Sequence, residues 1–209
     1  MGRRLSFTFV VAVAALLPTA CAYKGLSMSE VTAVVLHGED RLVAPTPSAT
    51  ADTYNPALAP VGAALTANLN PSGDTTVVEL QVSGMVPNRG YAAHAHTNAC
   101  GQNPAAAGPH YQNRVDPAAT PQAPSSNPEY ANPRNEVWLE LRTDATGAGT
   151  ARTTVPFVFA DRGPGSIVLH EAEQTETGPG SAGKAGARVA CLTLAAVGRQ
   201  GFHPLGQPR

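Results

Sequence analysis

Residues 63–83 read AALTANLNPSGDTTVVELQVS, and this stretch decides the fold. Apolar and polar residues alternate at positions 63–69 and again at positions 78–83. Successive side chains of a strand point to opposite faces, so this pattern suits a strand with one buried face. The Asn-Pro-Ser-Gly-Asp segment at 70–74 is rich in turn-forming residues. The stretch therefore predicts two antiparallel strands joined by a turn.

The same alternation recurs further along the chain. Apolar side chains occupy every second position in residues 137–141 and 155–159, and residues 188–197 form a nearly continuous apolar run that is typical of a central strand. The Asp-Ala-Thr-Gly segment at 144–147 indicates a second turn. Because no segment has a convincing long amphipathic helix pattern, we expect an all-β fold, a Greek-key antiparallel β-sandwich (a flattened barrel).

Two histidines, His94 and His96, are separated by a single alanine. Residues two apart in a strand share a face, so their imidazoles stand side by side. Neutral imidazoles held in this way are half of a transition-metal site. An isolated histidine is more often a hydrogen-bonded structural residue, but this paired spacing favours metal binding. His110 and His170 also fall in segments that the fold can bring to the same place.

The histidines lie within four short motifs: GYAAHAH at 90–96, AGPHY at 107–111, GSIVLHE at 165–171 and GARVAC at 186–191. In this order and at these separations, they resemble the copper/zinc superoxide dismutase family over residues of about 61–197. The resemblance implies that copper is held by four histidines: His94, His96, His110 and His170. It also implies that Arg188 guides the anionic substrate, that Cys100 pairs with Cys191, and that His110 is protonated during turnover.

The zinc half of the family's site is missing from this sequence. Zinc-bearing members carry two more histidines and an aspartate after the position of His110, but residues 111–136 contain no histidine. Zinc takes about four ligands, so the chain resembles the copper-only branch, and we expect zinc to be absent. Another group must then orient His110. Glu136 is the first candidate and Asp116 the second, and for each the alternative is a solvated surface acid.

A long segment without strand character, residues 97–134, is rich in Pro, Ala and Asn. It greatly exceeds the usual loop length of ~4–6 residues, and such loops in compact domains are usually functional or disordered. This one carries Cys100 and His110. We expect it to fold over the metal, held there by the Cys100–Cys191 disulfide that the resemblance implies.

The N-terminus has the pattern of an export signal. Arg3 and Arg4 precede an apolar run at 5–17, which is shorter than the ~20 residues that span a membrane. Two cleavage sites stay open: small residues at 20–22 suit ordinary export, whereas a loose lipobox at 17–21 would leave Cys21 lipidated and attached to a membrane. Either route accounts for an odd total of three cysteines. The protein is expected in the cell envelope or outside the cell.

The predicted organisation has four segments: an export signal at 1–22, a linker and N-terminal extension at 23–55, a superoxide dismutase-like domain at 56–199 and a tail at 200–209. Within the extension, residues 44–50 are rich in Pro, Ser and Thr and are not expected to pack. The apolar run at 31–36 is either a strand or a surface-adhering stretch. His37 and His203 lie outside the motifs and are expected to take no part in the site.

Composition and motifs together limit the function. The chain has 209 residues and a formal net charge of −1, which argues against a nucleic-acid partner because such a partner requires a basic patch. We expect an exported copper-dependent superoxide dismutase whose partner is the small anion superoxide. A copper-buffering envelope protein on the same scaffold is the alternative, and a metal-free adhesive or structural sandwich is the third hypothesis. Arg188 favours the enzyme. The oligomeric state stays open.

Overall fold

The structure is a computed structural model, and it describes residue 2 and residues 31–202. Ten strands run through this part of the chain: β1 Val31–Arg41, β2 Ala51–Thr53, β3 Ala64–Ser72, β4 Thr75–Ser83, β5 Gly90–His96, β6 Trp138–Arg142, β7 Gly149–Val155, β8 Ser166–His170, β9 Arg188–Thr193 and β10 Ala195–Phe202. They form two five-stranded antiparallel sheets, ordered β10-β1-β3-β4-β7 and β2-β9-β8-β5-β6. The predicted all-β sandwich is confirmed, but the sheets do not close into a barrel.

The hairpin predicted from residues 63–83 is the centre of the first sheet. In β3 and β4 every second side chain is buried, and Leu65, Leu69 and Leu80 are fully enclosed. Ser72 pairs with Thr75, so the turn is shorter than the predicted segment at 70–74. Its first residue, Gly73, has a φ of 63°, a left-handed conformation that favours glycine.

Residues 31–55, which the sequence analysis assigned to a linker and N-terminal extension at 23–55, contain two strands of the sandwich. β1 lies between β10 and β3 in the first sheet, and β2 pairs with β9 in the second. The run at 31–36 is therefore a strand, and Ala33 and Leu36 are buried in the core. Only the Pro/Ser/Thr-rich residues 44–50 behave as expected, since they are exposed or half-buried. The domain also extends past the predicted end at 199, because β10 continues to Phe202.

The second sheet is buried on both faces where it carries the histidines. Every residue of β5 and β8 is buried. Ala93, Ile167 and Leu169 face the other sheet and belong to the main core. On the opposite face, Val168 packs with Cys191 beneath the long segment before β6. That segment contains one short 3₁₀ helix, Pro104–Ala107. The segment covers the candidate site.

The predicted export signal at 1–22, with Arg3, Arg4 and Cys21, lies outside the described residues except for residue 2, and so does His203. Among the residues that the structure describes, no helix has the length and apolar character to cross a membrane.

Candidate metal centre

Four histidines converge on the outer face of the second sheet. His94 and His96 lie on β5, and His170 ends the neighbouring strand β8. His110 comes from the long loop and is held in register by a bridge to His96. One ring nitrogen from each of the four lies within 4.8 Å of the others. The predicted ligand set is thus brought together, whereas His37 lies on β1 and hydrogen-bonds Asn68.

Each imidazole is oriented by a hydrogen bond from the nitrogen that faces away from the cluster. The acceptors are a hydroxyl, a carboxylate and two backbone carbonyls: His94 Nε2 to Thr175 Oγ1 at 2.8 Å, His96 Nδ1 to Gly108 O at 2.9 Å, His110 Nδ1 to Glu136 Oε2 at 2.8 Å and His170 Nδ1 to Gly186 O at 3.3 Å. Such partners fix the tautomer of a ligating histidine and the direction of its ring.

The remaining nitrogens form a set of bare electron pairs that fits a metal ion. His94 Nδ1 is buried and has no hydrogen-bond partner among the described residues. The Nε2 atoms of His96 and His170 face each other at 3.4 Å, although the outer nitrogen of each ring already donates its proton to a carbonyl. Buried acceptors left without a donor are unfavourable, and a metal ion at their centre would satisfy all of them.

Burial keeps the imidazoles of His94, His96 and His170 neutral, which is the form that binds metals. Burial, followed by the neighbouring His110, lowers the pKa values of His94 and His96 well below the ordinary histidine value. The same causes lower the pKa of His170 to about 3. A proton therefore competes weakly with a metal ion for these three nitrogens at neutral pH.

Glu136 is the group that orients His110. Its side chain is 1% exposed and accepts three hydrogen bonds: from His110 Nδ1 at 2.8 Å, Trp138 Nε1 at 2.7 Å and Gln112 Nε2 at 2.8 Å. The second candidate, Asp116, is also buried, but its carboxylate accepts from the Ser125 hydroxyl and the Ala118 backbone. Asp116 therefore shapes the loop, and the first of the two predicted candidates is the one that contacts the cluster.

Arg188 lies in the wall of a cavity above the histidines. The cavity has a volume of about 740 Å³, and His110, His170 and Glu136 contribute to its lining together with mostly apolar loop residues. The guanidinium donates to Pro104 O and Gly108 O, both at 2.6 Å. These bonds occupy two of its five N–H groups. The structure thus places Arg188 beside the cluster, and it also gives this residue a role in holding the loop.

The predicted disulfide joins Cys100 to Cys191, with 5.7 Å between the Cα atoms. It is covered by Ala107 and Val168. Because Cys191 lies on β9, three residues after Arg188, the bond attaches the start of the long loop to the strand that presents the arginine.

The sequence interpretation missed three groups that orient the histidines: Thr175 and the carbonyls of Gly108 and Gly186. Backbone carbonyls are present at every residue, so they carry no sequence signal. Thr175 lies in the connection between β8 and β9, where nothing in the residue pattern distinguishes it from Thr177.

No protein-family model matches the chain, and a search of curated proteins finds no match.

Proposed function

We propose that this protein is an exported copper-dependent superoxide dismutase without a zinc site. The observation that carries the proposal is the convergence of four oriented histidines, with bare nitrogens directed at one point, below a cavity that contains Arg188. The motif resemblance supplies the reaction. The absence of zinc, the export and the lipidation of Cys21 stay predictions.

The donor set supports copper as the metal. His94, His96, His110 and His170 offer nitrogen ligands only, and both described cysteines are in the disulfide. Copper(II) binds most tightly in the order of divalent first-row metals, and a site without thiolate differs from blue-copper electron-transfer centres. Bound copper would supply one-electron chemistry, in which one superoxide is oxidised to O₂ and a second is reduced with two protons to H₂O₂.

Arg188 is the group that binds the anion in this proposal. It contributes a cationic group to a cavity wall that is mostly apolar. Two of its N–H groups hold loop carbonyls, which fixes the plane of the guanidinium, and the others are available for charge-assisted hydrogen bonds to superoxide.

His110 is the ligand best placed to deliver a proton. Its side chain is 16% exposed, whereas His94 and His96 are fully buried and His170 is 5% exposed. Water in the cavity can therefore reach the His110 ring. Glu136 holds its Nδ1 from the other side, so Nε2, the same nitrogen that would hold copper, would carry the proton only while it is not bound to the metal.

Copper buffering is the second candidate function, because the contacts of Arg188 give this residue a use that requires no substrate. Arg188 already has a structural task, because it binds two carbonyls of the loop that carries His110. A protein that only stores copper would also use such an anchor. The presence of Arg188 beside the histidines is therefore compatible with both functions, and the rate of the reaction must decide between them.

The deciding experiment measures metal content and superoxide decay on the same purified mature protein, after reconstitution with copper and zinc together. We expect one copper per chain, no stoichiometric zinc and copper-dependent acceleration of superoxide decay. His96→Ala should lose both copper and activity, and His37→Ala is the matched control outside the cluster. One zinc per copper would overturn the zinc-free assignment, and full copper loading without activity would select the buffer.

Variants of Arg188 separate the enzyme from the buffer at equal copper loading. Arg188→Ala should slow superoxide decay by roughly tenfold, the equivalent of about 1.4 kcal/mol of lost anion positioning. Arg188→Lys should recover part of the rate, because the charge remains without the planar fork. Arg188→Glu should be slowest, and added salt should raise its rate. Arg152→Ala, on the far sheet, is the control. Wild-type rates in all three Arg188 variants would exclude the guiding role.

A further inference from the structure

We propose that Thr175 and Glu140 are positioning residues for His94, and that they direct its bare Nδ1 at the metal. The inference rests on the proposed role of the four-histidine cluster as a metal site. Neither residue belongs to the motifs that carry the resemblance, and neither lies within the cluster. Both are recognised only from the folded arrangement of side chains.

The direction of the hydrogen bonds follows from the chemistry of the three groups. Glu140 Oε1 lies 2.7 Å from Thr175 Oγ1 and 3.0 Å from the Thr175 backbone nitrogen. A carboxylate only accepts hydrogen bonds, so the single hydroxyl proton of Thr175 is donated to Glu140. Thr175 Oγ1, 2.8 Å from His94 Nε2, must then accept. His94 consequently carries its proton on Nε2, and its Nδ1 is bare.

This arrangement distinguishes His94 from the other three histidines. His94 presents Nδ1 to the cluster, whereas the partners of His96, His110 and His170 all bind Nδ1 and leave Nε2 free. His94 is fully buried, so water cannot take the place of a missing acceptor at its Nε2. Without Thr175 the ring would keep an unpaired N–H, or it would change tautomer and lose the metal-facing lone pair.

Glu140 connects this pair to the sheet. It lies on β6, the strand that pairs with β5, where its neighbour across the ladder is Ala92. Thr175 lies on the connection between β8 and β9. Arg142, also on β6, forms a second tie to this connection through Glu173 at 2.7 Å. That ion pair is exposed and contributes little by itself. Glu140 therefore holds the Thr175 hydroxyl within hydrogen-bonding distance of His94 Nε2.

The test compares Thr175→Val, which removes the hydroxyl at nearly constant shape, with Thr175→Ser, which keeps it. Thr177→Val is the matched control, because Thr177 is exposed and its side chain has no hydrogen bond within the described chain. Copper(II) alone is the probe. Affinity is measured by competition with a chelator, and the geometry of the bound ion by its electron paramagnetic resonance spectrum.

Thr175→Val should weaken copper binding by about 10- to 100-fold, the range expected when a partner of a ligating residue is removed. Its spectrum should also change, since one nitrogen ligand is lost or rotated. Thr175→Ser should match the wild type in both readouts, as should Thr177→Val. The copper affinity of Glu140→Gln should lie between those of Thr175→Val and Thr175→Ser, because an amide oxygen still accepts from Thr175 but carries no charge.

The outcomes separate this inference from the proposed function. If the wild type binds no copper, the proposed function fails and the inference fails with it. If the wild type binds copper and Thr175→Val shows the same affinity and spectrum, only the inference is overturned. It is also overturned if Thr175→Val and Thr175→Ser lose affinity equally with unchanged spectra, since that result indicates a general structural effect.

Discussion

Removing the Glu136 carboxylate tests how the buried centre is held together. Glu136→Leu would leave three donors without their acceptor: His110 Nδ1, Trp138 Nε1 and Gln112 Nε2. An unpaired buried donor costs about 1–3 kcal/mol, so three cost roughly 3–9 kcal/mol. The His110 side chain is 16% exposed and can turn to water, so we expect a loss in the lower half of that range. Typical domains have only about 5–15 kcal/mol of stability in total.

Glu136→Gln is a milder change that isolates the charge. The new amide can keep an oxygen toward His110 and Trp138, but its NH₂ group then faces the NH₂ group of Gln112. Gln112 cannot turn over freely, because its Oε1 accepts from the Asp116 backbone at 3.0 Å. We expect a loss of about 1–3 kcal/mol for one opposed donor pair, together with copper affinity weaker by about 10- to 100-fold.

Urea unfolding of the metal-free protein measures the stability loss, and chelator competition measures the copper affinity. Glu129→Gln is the control, because Glu129 is 60% exposed and lies in the same loop. Asp116→Asn tests the rejected candidate, and it should leave the copper affinity unchanged. Wild-type copper affinity in Glu136→Gln, or a stability loss in Glu136→Leu no larger than in the Glu129→Gln control, would refute the reasoning.

Two further predictions concern the metal-free protein. Reduction of the Cys100–Cys191 bond should destabilise it by about 2–4 kcal/mol, because the bond closes a segment of 91 residues; an unchanged urea midpoint in reductant would contradict this. Acid should also destabilise it: burial lowers the pKa of His170 to about 3, so below the unfolded value of about 6.5 the unfolded chain binds more protons. The contribution of this histidine to the free energy of unfolding should be complete above pH of about 6.5 and should fall by about 1 kcal/mol per pH unit toward pH of about 3. A free energy of unfolding that stays constant between these two pH values in urea titrations would contradict the prediction.

The sandwich was predictable where alternation continues without interruption, as in β3 and β4, and not where it is broken. In β1 the buried positions change phase, from Ala33 to Leu36 and Gly38, near the point where the pairing with β10 passes over Val197 between Val35 and Leu36. Gly38 stands at a position where an apolar side chain would continue the pattern. A Cβ there would lie only 2.5 Å from Thr193 O, so the position accommodates glycine and no larger residue. The alternation of apolar and polar residues in β1 therefore changes phase and then ends, and a segment with such a pattern is difficult to distinguish from a linker by sequence.

The candidate site was predictable to the extent that side-chain identity determines it. The four histidines, Arg188 and Cys191 are marked by their motifs, Cys100 follows the first motif closely, and Glu136 was one of two acids proposed to orient His110. The choice between Glu136 and Asp116 depended on which carboxylate the folded loop turns inward. The contribution of Thr175 depended on a contact between a loop and a strand 81 positions apart in sequence, which no local pattern encodes.

The carbonyl of Gly108 accepts hydrogen bonds from both His96 Nδ1 and Arg188 Nη2. His96, a proposed metal ligand, and Arg188, the proposed anion-binding residue, therefore share one oxygen atom as their hydrogen-bond acceptor. Any movement of that peptide displaces both side chains together, so we expect substitutions in this segment to change the proposed metal binding and the proposed anion binding at the same time. The peptide is also hard to replace, because Gly108 has a φ of 72° and a Cβ would collide with the Thr97 hydroxyl. If the proposals hold, substitutions that change only one of the two properties are expected at other positions: Glu136 or Thr175 for metal binding, and the apolar cavity wall for anion binding.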